Sequence, residues 1–392
     1  MGNTVYRLFT ILIAIFQVGL FSTYSLAASP IRIGLSLGLS GDYALTSNKQ
    51  KNAYALFEET INASGGVLGR PLKFIIKDNQ SKPSIAVAQY EALITKDKVD
   101  FVIAPYTSGL TMAISPVVEK YGYPTLAAGA AADRIWQQGF KNIFGLWTPA
   151  SRYSLGFLKL LTYYQLNGIV IASADEPFGM EIASGAQKWA KTLHLNVLDF
   201  ITFKEGQTHL DDIARQVATI KPQILLCTGH YSVGVNMKKA LNKIGWHPRV
   251  FYATVSPNYQ KYYDDFQQMA ELDLSTSIWE PHPKLGYPGS QDFAKRYELR
   301  YGSPPTYHAA TAYAAAEVLV KAITQANSTD KDSVRHQLQT MNTMSIIGRY
   351  AVDKTGIQIK RFPLVVQWQK GKKEIVWPLE LQTAPAMFRD TE

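Results

Sequence analysis

Cysteine is almost absent: Cys227 is the only one in 392 residues. A lone thiol excludes an intrachain disulfide framework and any zinc site built on cysteines. Its place in the apolar run QILLCTG predicts a buried side chain. Long blocks of one charge are missing too. The 40 Lys and Arg against 31 Asp and Glu give a formal charge of +9, but the basic residues are scattered, and the longest cluster is Lys370, Lys372 and Lys373. A nucleic-acid binder concentrates basic charge on one face to displace counterions, so no nucleic-acid partner is expected. Phosphate-cradling glycine loops are lacking: Gly34, Gly38 and Gly41 do not fit G-x-G-x-x-G, and no loop ends in Gly-Lys-Ser/Thr. The histidines (His194, His209, His230, His247, His282, His308, His336) show no spacing that sets two on one helical face. No metal and no cofactor is therefore expected. Gly and Pro follow no period, which excludes collagen-like and low-complexity chains.

What is present is an ordinary globular composition, 46% hydrophobic, in a chain long enough for two domains. The start is different. Arg7, the apolar run from Leu8 to Phe21 and the small residues around Ser25-Leu26-Ala27 form a secretory signal pattern. The expectation is a signal peptide over 1–28, cleaved near Ala27/Ala28, and export to the periplasm. No cysteine lies near the cleavage point, so the chain is not read as a lipoprotein. No later stretch is long and apolar enough to cross a bilayer.

From residue 31 short β-branched runs alternate with amphipathic stretches. IRIGLSLGL (31–39) precedes a helical segment from Asn48, where Ala53, Leu56, Phe57 and Ile61 share one face. LKFIIKD (72–78), FVIAPY (101–106) and PTLAAG (124–129) are strands, separated by helices over 84–97 and 109–121. The alternation resumes with strands at 168–173, 195–203, 223–229 and 250–255 and helices at 178–193, 209–220 and 232–244. Such alternation builds parallel sheets through right-handed crossovers. After Trp279 helices at 290–301, 306–326 and 331–341 precede the strand-like GRYAV, PLVVQW and EIVWP. These return to complete both earlier units, which are therefore joined by more than one crossing. The expected organisation is lobe 1 from 30–147 plus 283–350, lobe 2 from 151–280 plus 355–378, and a C-terminal tail over 379–392.

Catalytic constellations do not emerge. Gly34-Leu35-Ser36-Leu37-Gly38 matches the G-x-S-x-G of a nucleophile elbow, but the elbow needs a sharp strand-to-helix turn at the serine. Ser36 lies inside a continuous strand. The acid pairs Asp211-Asp212 and Asp264-Asp265 point in different directions on a helix and belong to solvated faces. The chain is read as a binding protein and not an enzyme. Polar and aromatic residues fall on loops at strand C-termini, where open α/β sheets bind ligands. These are Ser40-Gly41-Asp42-Tyr43, Tyr106-Thr107-Ser108-Gly109, Ala128-Gly129-Ala130-Ala131, Asp175-Glu176-Pro177-Phe178-Gly179 and Gly229-His230-Tyr231. Each junction also offers a helix N-terminus suited to an anionic group.

The segments IRIGLSLGLSG, INASGGVLGRPLKFIIKDNQSKPSIAVAQ, VIAPYTSGLTMAISPVVEKYGYP and DEPFGMEIASGAQ carry a resemblance across 30–380. The chain resembles the periplasmic type I solute-binding proteins of ABC importers, in the branched-chain amino acid (Leu/Ile/Val-binding) group. The resemblance implies two doubly wound parallel-sheet α/β lobes joined by three crossovers, a monomer that closes by a hinge on a small solute, and an inner-membrane ABC permease as partner. A periplasmic sensor acting through a membrane receptor kinase is the alternative. Carried over by position, Ser108 grips a ligand carboxylate, Gly129 is a backbone contact, Phe178 an aromatic of the second lobe, and His230 stands where Tyr is common. Two positions depart: Ala131 stands where leucine-binding members have Thr, and Val255 where they have an acidic residue that meets the α-ammonium. A buried ammonium without a counter-charge costs several kcal/mol. An α-amino acid then needs Asp42, Asp175, Glu176 or Glu280 instead. The expected ligand-binding residues are Tyr43, Tyr106, Thr107, Ser108, Gly129, Ala130, Ala131, Phe178, His230 and Val255. Trp147, Tyr231 and Tyr307 are further aromatics of the cleft or its rim. The ligand is expected to pair a carboxylate or amide with an apolar or aromatic body.

Overall fold

The computed structural model describes residues 29–390. The expected signal peptide over 1–28 lies outside the described residues. The first sheet is parallel, in the order β2-β1-β3-β4-β5. Its strands are β1 (Ile31–Leu37), β2 (Leu72–Asp78), β3 (Phe101–Ile103), β4 (Thr125–Ala127) and β5 (Ile143–Gly145). Side chains alternate across it as the pleat requires. Ile31, Ile33, Leu35 and Leu37 join one core, under α1 (Ala44–Ala63). The opposite core takes α2 (Pro83–Thr95) and α3 (Ser108–Lys120). Gly34 faces α2, where an added Cβ would meet Leu93 and Val99 at 3.1 Å, so a bare backbone is what lets that helix sit close.

The second sheet runs β14-β13-β10-β9-β8-β6-β7. Its parallel part is β6 (Ile169–Asp175), β7 (Val197–Lys204), β8 (Ile224–Thr228), β9 (Val250–Ala253) and β10 (Leu274–Ser277). Helices α4 (Leu155–Tyr163) and α5 (Pro177–Thr192) cover one face, and α6 (Asp211–Ile220) and α7 (Tyr231–Ile244) the other. A short helix, α8 (Gln260–Phe266), follows β9.

The last third of the chain returns to both lobes. Helices α9 (Ser290–Tyr301), α10 (Tyr307–Ala326) and α11 (Lys331–Thr340) join the first-lobe core with α1, and β11 (Thr343–Ser345) pairs with β12 (Gly348–Tyr350) beside them. Fifteen of the twenty residues of α10 are buried, as expected of a helix that is apolar almost all round. Then β13 (Leu364–Gln369) extends the second sheet antiparallel to β10, and β14 (Lys372–Trp377) pairs antiparallel with β13 at the edge. The chain thus passes between the sheets three times, over 146–154, 278–289 and 351–363. Residues 379–390 lie against the second sheet: Met387 N–H donates to Gln367 Oε1 (2.9 Å) and Arg389 donates to Asp273 (2.6 Å).

Several expected elements shift. The strand expected over 250–255 ends at Ala253, because Val255 turns the chain into a 3-10 turn at Ser256–Asn258. β5, β10, β11, α4 and α8 had no sequence expectation. The glycine-rich motif after α1 is structural: Asn62 donates to Leu72 O (2.9 Å) and accepts from Leu72 N (2.7 Å), tying the helix end to β2. Ser36 is buried inside β1, donating to Gln89 and accepting from Asn79, and forms no elbow.

Candidate functional site

Strand order reverses between β1 and β3 in the first sheet and between β6 and β8 in the second. These are the switch points where a crevice opens beyond strand C-termini. The loops after β1, β3, β6 and β8 carry Tyr43, Tyr106–Ser108, Glu176–Phe178 and His230.

The β3–α3 junction is a strained elbow. Thr107 has φ 91° and ψ 150°, a region nearly reserved for glycine and a marked departure for a β-branched residue. Its N–H donates to Gly129 O (3.1 Å), and its Oγ1 caps α3 by accepting from Leu110 N (3.2 Å). Ser108, the first residue of α3, accepts at Oγ from Ala131 N (3.1 Å) and Ala132 N (3.0 Å). Its hydroxyl proton stays free, and accepting two bonds polarises it as a donor. First-turn N–H groups have no intrahelical acceptor, and those of Ser108 and Gly109 find no other partner among the described residues. Three donors therefore share the positive end of α3. Gly129 is required here, since a Cβ would meet Tyr106 Cδ2 at 2.9 Å and Gln50 Nε2 at 3.0 Å.

The second lobe contributes a stacked pair. Glu176 caps α5, accepting from Phe178 N (2.8 Å) and Gly179 N. The Phe178 ring lies over the His230 imidazole at 5.2 Å and 16°. Glu176 Oε2 is 3.5 Å from His230 Nε2. Burial alone pushes this imidazole down, but Glu176, with help from Glu205, more than reverses that and leaves it above its ordinary value. His308 moves the other way: burial, with His230 nearby, holds it well below the usual range.

The lobes meet through aromatic edges and four hydroxyls. Tyr43 O–H donates to Glu205 (3.0 Å), and Tyr106 OH is 3.3 Å from His230 Nδ1. Thr46 Oγ1 is 2.7 Å from Tyr259 OH, which is 2.9 Å from His308 Nδ1. Tyr106 sets its edge against Tyr43, His230 and His308. Trp147 and Tyr307 pack on His308, and Tyr231 on Tyr259. Gln50 Oε1, Trp147 Nε1, Tyr231 OH and His308 Nε2 are buried in this cluster without a partner among the described residues. Unpaired buried groups are rare in folded proteins and each asks for a reason.

Of the expected residues, Tyr43, Tyr106, Thr107, Ser108, Gly129, Phe178 and His230 converge here. Ala131 and Val255 are buried in the same apolar cluster. Ala130 is not brought in: its side chain joins the core under α2 and α3, because successive residues of an extended segment point oppositely. Thr46, Gln50, Glu205, Tyr259 and His308 had not been expected. His308 sits behind the Thr306 N-cap of α10, and the preceding Pro304-Pro305 gave a helix-start signal. The four candidate counter-charges differ, and Glu280 keeps its Oε1 buried without a partner among the described residues. Asp42 and Asp175 are exposed, Glu176 serves the α5 cap and His230, and Glu280 pairs with Lys373 at 3.0 Å.

A family profile described as periplasmic binding protein matches residues 30–373. Leu/Ile/Val-binding protein homolog 7 of Brucella suis is 22% identical, over 94% of this chain and 96% of its own. The branched-chain amino acid substrate-binding protein LivJ of Streptococcus pneumoniae, solved with isoleucine, superposes with a TM-score of 0.79 at 18% identity, covering 88% of this chain and 98% of that one. A solute-binding protein of an ABC transporter from R. palustris, solved with benzoate, superposes at 0.77 with 18% identity, covering 88% and 95%.

Proposed function

Since this chain belongs to the periplasmic binding protein family, we propose that it is the extracytoplasmic solute-binding subunit of an ABC importer. Its ligand is a small carboxylate with an aromatic or apolar body and no α-ammonium. The observation that carries this reading is the set of three donors at the Ser108 elbow, facing a second lobe in which Val255 is apolar and Glu176 is held by the α5 cap and His230. The benzoate complex of the R. palustris protein shows that the fold accommodates such a ligand.

In the open form the carboxylate docks on Ser108 N–H, Gly109 N–H and the Ser108 hydroxyl. Its body then lies against Tyr106 and Trp147. Closing brings Phe178 and His230 over the other side. Tyr43 and Glu205 fasten the rim. The leader at 1–28 delivers the chain across the inner membrane, and a permease recognises the closed form.

The test is calorimetry on protein unfolded and refolded to remove carried solute. Benzoate and 4-hydroxybenzoate should bind, while leucine, isoleucine and valine should not. Ser108→Ala removes one hydrogen bond to a charged group, about 1.5–3 kcal/mol, so affinity should fall about 10- to 100-fold. Binding of the three amino acids with no response to the aromatic acids would overturn the reading.

A further inference from the structure

A second cavity, of about 420 Å³, lies where the chain passes between the lobes. That is within the range of small-molecule sites. All three passages reach it: Leu155 just after the first, Ile278 and Tyr287 on the second, and Arg361 on the third. None of the residues of the carboxylate cleft lines it.

Its charge is lopsided. Lys159, Arg349, Lys360 and Arg361 line it against one acidic residue, Glu380, which is exposed. Among the described residues none of these four cations is in an ion pair. Arg361 is the notable one, at 9% exposure. Its guanidinium donates to Ile347 O, Ser345 Oγ (3.3 Å) and Gly348 O (3.4 Å), all neutral, and its Nε has no partner. Burial pulls its pKa down to about 10, partly offset by Tyr287 and Glu317, so it remains charged at neutral pH. A buried cation without a counter-ion is costly unless something supplies the missing charge. The remaining wall is apolar, with Ile278, Ile347, Leu364 and Trp377, and Phe362 stands at the mouth 79% exposed.

We propose that this hinge cavity is a second binding site, taking a small amphipathic organic anion whose acidic head meets Arg361, Lys159 and Lys360 and whose apolar body lies on Trp377. Its occupant touches all three passages, so it binds the open and closed forms differently whenever hinge motion changes the cavity.

The probe is 8-anilinonaphthalene-1-sulfonate, an aromatic sulfonate, titrated into the purified protein by fluorescence at low salt. One saturable site is expected. Lys159→Glu/Lys360→Glu, two exposed positions, should weaken it at least tenfold, and Arg361→Gln should do the same. Ser108→Ala and His230→Gln should leave it unchanged. Benzoate binding should survive the Lys159→Glu/Lys360→Glu change, which separates this site from the cleft. Absence of saturable binding would overturn the proposal. So would a probe affinity untouched by the two lysine changes, or one lost with Ser108→Ala. Should Arg361→Gln fail to fold, the lysine pair decides alone.

Discussion

Thr107 offers a direct test of the strained elbow, through a comparison of glycine and alanine at one position. At φ 91° and ψ 150° the threonine carries about 1–3 kcal/mol of backbone strain. Thr107→Gly releases it. The losses are a few tenths for the N-cap, about 0.5–1 kcal/mol for glycine's unfolded freedom and about 0.8 kcal/mol for a buried methyl. Gain and loss nearly cancel, so the glycine variant should match the parent within about 1 kcal/mol. Thr107→Ala keeps the strain and loses the cap and the methyl, a cost of about 2 kcal/mol. Glycine should therefore be the more stable replacement by about 1–2 kcal/mol, reversing the order usual near helices. For a lobe of this size that is roughly 3–8 °C in Tm, readable by thermal denaturation. Binding should move the other way: a glycine elbow no longer fixes the Ser108 and Gly109 N–H groups, so benzoate affinity should fall although stability does not. An alanine variant as stable as the glycine one would refute the strain and with it the idea that the elbow is held ready for an anion.

Other expectations are as specific. Asp273 is fully buried and accepts from Lys238, Tyr262 and Arg389, so Asp273→Asn should cost about 3–5 kcal/mol in urea denaturation, partly recovered by adding Lys238→Met; a loss under about 1 kcal/mol contradicts the network. The two cleft histidines should titrate oppositely. His230 is raised in the folded state, so its contribution is full below about pH 6.5 and is lost as pH rises through the folded value; His308 is lowered, so its contribution is full above about pH 6.5 and is lost as pH falls. Relative to the parent in thermal melts, the deficit of His308→Gln should grow as pH rises toward about 6.5 and stay flat above it, and that of His230→Gln should grow as pH falls toward about 6.5 and stay flat below it, whereas parallel slopes would refute the assignment. Tyr43→Phe removes the bond to Glu205 at the rim, worth about 1 kcal/mol, and stopped-flow release should quicken about fivefold; unchanged release would show that the rim bond does not hold the closed form.

The alternation of β-branched runs with amphipathic stretches carried the two-sheet architecture, because long strands such as β1 and β6 are apolar on both faces under flanking helices. β5 has three residues, too few to display a period. β10 reads Leu-Ser-Thr-Ser, a polar string. It is buried because Ser275 donates to Ala253 O (2.7 Å) and Thr276 accepts from Tyr252 (2.6 Å), partners set by the tertiary fold. The same split runs through the cleft. Ser108, Phe178 and His230 were legible because each lies on a strand-to-helix junction that local order defines, with its role implied by the resemblance. Tyr259 and His308 were not, since their pairing spans 49 residues and two lobes. Ala130 and Ala131 show the limit within one dipeptide: the loop was found, and which alanine faces inward depended on the backbone.

The return of β13 to β10 bears on how the chain is made. Leu274 pairs with Gln367 and Ser277 with Leu364. On the ribosome, β10 emerges with an unpaired edge and keeps it until almost the whole polypeptide has been synthesised. Neither lobe can be cut out as one contiguous segment, and the second cannot close its sheet early.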